Sequence, residues 1–362
     1  MKINMSHGGN IEEVSRLFSI EKNSIVDFSS NVNPFDLPNN ISDVICASIR
    51  NISRYPDRDC EELKETLGKY LNISTENIVL GNGSADIIYR AVYAYRPSSG
   101  FILSPTFGEY EKALLSVGAK IDYWELKECD DFKLPVGEVV DRASKLDMVF
   151  LCNPNNPTGT LISPNDLKYL AQKLHGRKTI LILDEAFIDL TEEHSIINSA
   201  VKRKNILVLR SMTKFFGLAG LRLGYAVGSK EIVKQIQKSG QPWPVNIFAQ
   251  VAGQIILKNK KFKNDSRRKL LQERDFLYRK LCRIKNIKPF PTAANFILVK
   301  IEGHLSAAQL QKQLLKCGLL VRDCSSFRGL NSKYIRIAVR KHEENLRLIN
   351  ELEEITSKGI KT

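Results

Sequence analysis

NILVLRSMTKFFGLAGLRLGYAVG, residues 205–228, holds two apolar runs joined by a turn that carries Ser211, Thr213, Lys214 and Arg222. The runs NILVL (205–209) and LGYAVG (223–228) have strand length and are apolar without alternation, the pattern of strands covered on both faces. Working outward, the same kind of run returns at TILILD (179–184), MVFLC (148–152), FILS (101–104) and IVLG (78–81), with amphipathic stretches of helix length between them. The repeat predicts an α/β domain whose mainly parallel sheet is covered by helices on both sides. One connecting helix announces its start: Ser163 caps, Pro164 suits the first helical position, Asp166 favours the first turn, and Leu167, Leu170 and Leu174 form the buried stripe.

After the basic stretch 257–288 the pattern changes. FILVK (296–300), a helix around 306–317, then LLVRD and YIRIAV suit a smaller α+β domain. The expected division is an N-terminal segment 1–45 packing with the small domain or a dimer interface, a large domain 46–255 and a small domain 256–362. Composition agrees with a folded soluble chain: 362 residues, 43% hydrophobic and 26% charged, with no run near the roughly 18 apolar residues of a membrane span. The start, MKINMSHGGN, lacks a basic stretch followed by an apolar one, so the expected location is the cytoplasm. Seven scattered cysteines and five scattered histidines have no metal-ligand spacing, so reduced thiols and no metal site are expected.

The net charge of +14 raises nucleic-acid binding as a reading. Its distribution argues otherwise, because residues 257–288 hold thirteen Lys or Arg against three acids. With Leu270, Leu277 and Leu281 at helical spacing, that segment reads as one amphipathic helix with a solvated basic face. No zinc-finger, RNP or basic-zipper signature accompanies it, so neither nucleic acid nor membrane is an expected partner.

Ligands of open α/β sheets bind beyond the carboxyl ends of strands. Four polar clusters stand there: GNGSAD (81–86), NPNNPTG (153–159), DEAF (184–187) and SMTKFFGLAGLRLGY (211–225). The first is a phosphate cradle at a helix start, or merely a strand-to-helix turn. Asp184 either caps a helix or holds a pyridine nitrogen protonated as a buried carboxylate. Lys214 is either an ordinary surface lysine or a desolvated amine poised to condense with an aldehyde, with Ser211, Thr213 and Arg222 as donors to a phosphate.

Together and in this order, the clusters resemble those of fold-type-I pyridoxal-phosphate enzymes of the class I/II aminotransferase family, over nearly the whole chain. The resemblance implies the aspartate aminotransferase fold, α/β, with a large domain built on a mainly parallel mixed sheet plus a smaller α+β domain. It implies pyridoxal 5′-phosphate carried on Lys214, with Asp184 at the pyridine nitrogen and Asn156 donating to the ring's phenolic oxygen. Phe107, in SPTFGEY, would stack on the ring, and Ser84, Ala85, Ser211, Thr213 and Arg222 would hold the phosphate. Tyr55, in RYPD, matches a tyrosine that reaches the cofactor phosphate of a neighbouring subunit, which implies a homodimer with shared active sites. Arg336, in YIRIAVR, matches the arginine that binds a substrate anion.

Two branches of the family are close, the histidinol-phosphate aminotransferases and the threonine-phosphate decarboxylases of cobalamin biosynthesis. Three features favour the second. SHGGN (6–10) with DFSSNVNP (27–34) resembles its N-terminal signature, implying His7, Gly8 and Asn33 as ligands of a substrate phosphate. DEAF puts Phe187 where the aminotransferases usually have tyrosine. VRDCSSFRGL (321–330) resembles a segment that supplies a second substrate arginine, Arg322. The expected activity is decarboxylation of threonine phosphate, a small phosphorylated amino acid. Serine phosphate decarboxylation, histidinol-phosphate transamination and a non-catalytic ligand-sensing module are the alternatives.

Overall fold

The apolar runs become neighbouring strands of one seven-stranded sheet in the computed structural model, which describes residues 8–176 and 178–358. The strand order is Ile78–Asn82, Leu223–Gly228, Ile206–Ser211, Ile180–Asp184, Met148–Cys152, Ser99–Ser104 and Lys120–Glu125. Leu223–Gly228 runs antiparallel to both of its neighbours, and every other pairing is parallel. The seventh strand, KIDYWE, was not anticipated from sequence. It lies at the sheet edge with no fully buried residue, so its charged residues are tolerated and its apolar signal is weak. Strands Met148–Cys152, Ile206–Ser211 and Leu223–Gly228 are buried throughout.

Successive residues of each strand serve opposite faces, as the pleat requires. Val79, Ile102, Phe150 and Ile182 pack under helices Ser84–Tyr95, Glu109–Leu115 and Lys230–Lys238. Leu80, Phe101, Val149 and Leu183 pack against Leu167, Leu170 and Leu174 of helix Pro164–His175 and against helix Ile247–Lys258. Ser163 does accept the Asp166 amide at the start of its helix, with Pro164 at the first helical position.

A second sheet, antiparallel, runs in the order Arg322–Asp323, Tyr334–Ala338, Phe296–Ile301 and Ile287–Pro289. Its core includes Leu277 and Leu281, Leu310 and Leu314, and Leu348 and Leu352, from three helices. Val26–Asp27 pairs in parallel with Leu319–Leu320. The Ala338 amide then bonds the Phe28 carbonyl at 2.9 Å, and the Asn33 amide bonds the Lys214 carbonyl at 3.0 Å. The N-terminal segment therefore spans from the small sheet to the Lys214 turn.

The basic stretch is not one helix over 257–288. Asn259 accepts the Phe262 amide and caps a new helix, Lys260–Leu281, while 257 and 258 end the preceding one and 287–288 are already strand. An asparagine side chain offers a helix start that charge counting does not register. Leu270, Leu277 and Leu281 are buried as expected, and Lys263 and Arg267 pair with Glu192 at 3.0 and 2.6 Å. Among the described residues, no helix is long and apolar enough to cross a membrane.

Candidate active site

A cavity of about 470 Å³ opens at the carboxyl ends of the large-sheet strands and is closed on its far side by the small sheet. Its lining includes Ser84, Ala85, Phe107, Asn156, Asp184, Ser211, Thr213, Lys214 and Arg222 from the large sheet, and Gly8, Arg322 and Arg336 from the opposite side.

One end is an anion cradle. Gly83, at φ +80°, turns the chain into the twelve-residue helix Ser84–Tyr95. A Cβ on Gly224 would lie 2.2 Å from the Ser84 amide nitrogen, so only glycine lets the antiparallel strand approach this helix start. Unpaired amides and the helix dipole favour an anion here. The Ser211 and Thr213 hydroxyls stand 2.7 Å apart, and the Arg222 guanidinium lies against Gly83, 2.9 Å from where a Cβ would be.

Lys214 follows on the same turn and is half-buried. Burial, then Arg336 and Arg222, lower its amine to about 8, against the opposing pull of Asp184. Its Nζ stands 5.9 Å from the centre of the Phe187 ring, which packs edge-on against Phe296. One strand further along the sheet edge, Asp184 receives the Tyr110 hydroxyl on Oδ2 at 2.7 Å and the Ala186 amide on Oδ1 at 3.0 Å. Burial nevertheless pushes this carboxyl up to about 6. The order along the edge is anion cradle, amine, carboxylate, at about 5 Å per strand.

The small sheet supplies two arginines. Arg322 and Arg336 are register partners on adjacent antiparallel strands, and both are buried. Arg336 donates to the Ser29 carbonyl at 2.8 Å and to Asn156 Oδ1, while its buried Nε meets no protein acceptor. Burial lowers it to about 10, with Arg322 adding to the effect. Arg322 reaches Ser326 Oγ at 2.8 Å. Gly8 backs this pair: a Cβ there would sit 2.0 Å from the Ser29 carbonyl and 3.4 Å from Arg336 Nη2.

Two expected residues lie elsewhere. Asn33 does not line the cavity; its amide donates to the Phe215 carbonyl at 2.8 Å and its Oδ1 accepts the Phe35 amide at 3.0 Å, so the side chain shapes the backbone. Tyr55 is 79% exposed and stacked on Trp243 at 4.4 Å, away from the cavity of its own chain. His7 lies outside the described residues. Sequence reasoning passed over Asn31, which lines the cavity with its Oδ1 buried and unpartnered, and Tyr110. Asn31 was hidden beside Asn33 in the same NVN triplet; Tyr110 is one helical turn beyond Phe107.

These groups fit an elongated aromatic aldehyde with a phosphate at one end and a basic ring nitrogen at the other. The cradle would hold the phosphate, Lys214 would offer an amine lowered to about 8, Asp184 would face the nitrogen, and the Asn156 amide nitrogen could donate because its oxygen is taken by Arg336.

A profile for Aminotransferase class I and II matches residues 23–352. The threonine-phosphate decarboxylase of Salmonella typhimurium is 34% identical to the chain over 354 residues, 97% of each. The histidinol-phosphate aminotransferase of Methanococcus aeolicus is 33% identical over 355 residues, covering 97% of this chain and 95% of that one. Among solved structures, the L-threonine-O-3-phosphate decarboxylase of Porphyromonas gingivalis superposes with a TM-score of 0.84 at 28% identity, covering 92% of this chain and all of the other.

Proposed function

The chain belongs to the class I and II aminotransferases, enzymes that use pyridoxal 5′-phosphate, and from that premise we propose that it decarboxylates L-threonine O-3-phosphate. The product is (R)-1-amino-2-propanol O-2-phosphate, the linker of cobamides. The observation that carries this reading is the pair of register-matched, buried arginines, Arg322 and Arg336, on the cavity wall opposite the strand ends.

Two guanidinium groups side by side match a phosphate dianion better than a lone carboxylate. The bound cofactor supplies an aldehyde for the substrate amine and a protonated ring that accepts electrons from a bond held perpendicular to it. With the phosphate on Arg322 and Arg336, neither of these two would hold the carboxylate, which would favour breaking the bond to the carboxylate. Asp184 keeps a negative charge at the ring nitrogen, and Ser84, Ala85, Ser211, Thr213 and Arg222 anchor the cofactor phosphate. Lys214, lowered to about 8, would take up the cofactor through its neutral fraction, and its ammonium form can return a proton from Nζ to the substrate carbon after CO₂ departs. Phe187 supports the same reading, because it offers no hydroxyl beside Lys214.

The proposed unit is a homodimer with shared active sites. Ile49, Ile52, Tyr55 and Trp243 are exposed, which favours a covered face there, with Tyr55 reaching the cofactor phosphate of the second copy. Transamination of histidinol phosphate is the second reading, favoured by the Methanococcus aeolicus relative at nearly the same identity. Serine phosphate differs from threonine phosphate by one methyl, which a pocket separates by only about 1–3 kcal/mol.

The test is to incubate holoenzyme with threonine phosphate, serine phosphate or histidinol phosphate, with and without 2-oxoglutarate, and identify products by mass spectrometry. Aminopropanol phosphate formed without an oxo acid is the expected result. Conversion of histidinol phosphate alone, and only with 2-oxoglutarate present, would replace this proposal by the second reading.

A further inference from the structure

We propose that Tyr110 is a positioning residue: its hydroxyl holds Asp184 as a carboxylate aimed at the cofactor's ring nitrogen and thereby keeps the proton on that nitrogen. The inference rests on Asp184 being the nitrogen's partner and is indifferent to whether the substrate loses CO₂ or an α-hydrogen.

Tyr110 is 0% exposed, and its hydroxyl lies 2.7 Å from Asp184 Oδ2. The ring is fixed on two sides, stacked on Phe150 at 5.0 Å and edge-on to Phe107 at 5.5 Å. One side chain therefore touches both the carboxylate expected at the ring nitrogen and the aromatic expected on the ring face. Burial also raises the phenol well above its ordinary range, so it stays an O–H donor at any working pH.

The groups facing Asp184 are the Tyr110 hydroxyl, the Ala186 amide, Lys214, the Cys152 thiol and the adjoining Glu185. Among the described residues, Tyr110 and the Ala186 amide are the donors of hydrogen bonds to the carboxylate. A carboxylate that accepts donors binds a proton less tightly. Asp184 and the ring nitrogen compete for one proton, so each donor on Asp184 leaves that proton on the nitrogen. Removing the Tyr110 hydroxyl makes Asp184 the stronger base and transfers the proton to it, with no other change in bonding.

The experiment reconstitutes the enzyme with pyridoxal phosphate labelled with ¹⁵N in the ring and follows the nitrogen signal across the neutral pH range. In Tyr110→Phe the signal is expected to move toward the unprotonated position. The loss of one hydrogen bond to a charged group lowers kcat by about 10- to 100-fold, while KM stays within about threefold. Replacing Tyr110 with 3-fluorotyrosine keeps the packing and strengthens the donor, so the signal is expected to move the opposite way, and this holds the test open should Tyr110→Phe fold poorly. A nitrogen signal that stays at the wild-type position in the folded variants overturns the proposal. Asp184→Asn separates the two levels: if it too leaves the nitrogen protonated, the role of Asp184 fails, and if it alone removes the proton, only the role of Tyr110 fails.

Discussion

Mixing apoprotein with pyridoxal phosphate at increasing pH tests the environment of Lys214 directly. Burial, Arg336 and Arg222 hold the amine near 8. At pH 7 roughly 9% of such an amine is neutral, against about 0.03% at an ordinary lysine pKa, about 300-fold more nucleophile. The neutral fraction reaches roughly 91% at pH 9, so the second-order rate of cofactor capture should rise about tenfold from pH 7 to 9 and then level off. An ordinary lysine would give a rise of about 100-fold over the same interval with no plateau. Asp184, near 6, is already ionised throughout this window. Stopped-flow absorbance gives the rate, and a rise that continues tenfold per pH unit beyond pH 9 would refute the reasoning. Linkage supplies a second readout with a defined sign. Between about 8 and the ordinary lysine value near 10.5, the folded state binds fewer protons at Lys214 than the unfolded chain. This group's contribution to apoprotein stability therefore rises with pH there, and urea melts should register it.

Replacing Arg336 with Gln removes half of the guanidinium pair and leaves the Ser29 carbonyl short of a donor. At about 2–5 kcal/mol for truncating a buried charged contact, KM for a phosphorylated substrate should rise roughly 30- to 5000-fold in steady-state assays, and the Lys214 plateau should move to higher pH. Phe187→Tyr puts a hydroxyl near Lys214 and should increase abortive transamination, seen as pyridoxamine phosphate by mass spectrometry; unchanged products would mean that the ring at 187 does not partition the reaction. Tyr55→Ala should weaken cofactor binding about tenfold, the loss of one or two hydrogen bonds. Mixed with Lys214→Ala chains it should regain activity through hybrid dimers, and the absence of recovery would show that Tyr55 serves only its own chain.

The strand runs were legible because burial on both faces demands continuous apolar sequence, and Lys214, Asp184 and Arg222 stood out as polar groups directly beside such runs. The edge strand Lys120–Glu125 escaped because an edge accepts polar residues. The break at Asn259 escaped because a cap acts through one side-chain oxygen, which a count of basic residues does not register. Asn31 and Asn33 illustrate a sharper limit: two residues apart, they have different fates, one lining the cavity and one bonding the Phe215 carbonyl 182 positions away. Tyr110 was unreadable for the same reason, since its partner Asp184 is 74 residues distant and only the sheet brings them together.

The N-terminal segment bonded to Leu320, Ala338 and Lys214 also fixes an order of events. Its amide and carbonyl partners near residues 320 and 338 close loops of about 300 residues, whose entropy must be lost before the contacts reward it. During synthesis, which proceeds from the N-terminus, residues 26–33 must wait for strands made last. The nascent chain can thus form its large sheet while Arg322 and Arg336 are still missing from the cavity wall. The substrate end of the cavity is then completed after the residues that would hold the cofactor, and a ligand bound there, having no site in the unfolded state, draws the folding equilibrium toward the folded chain.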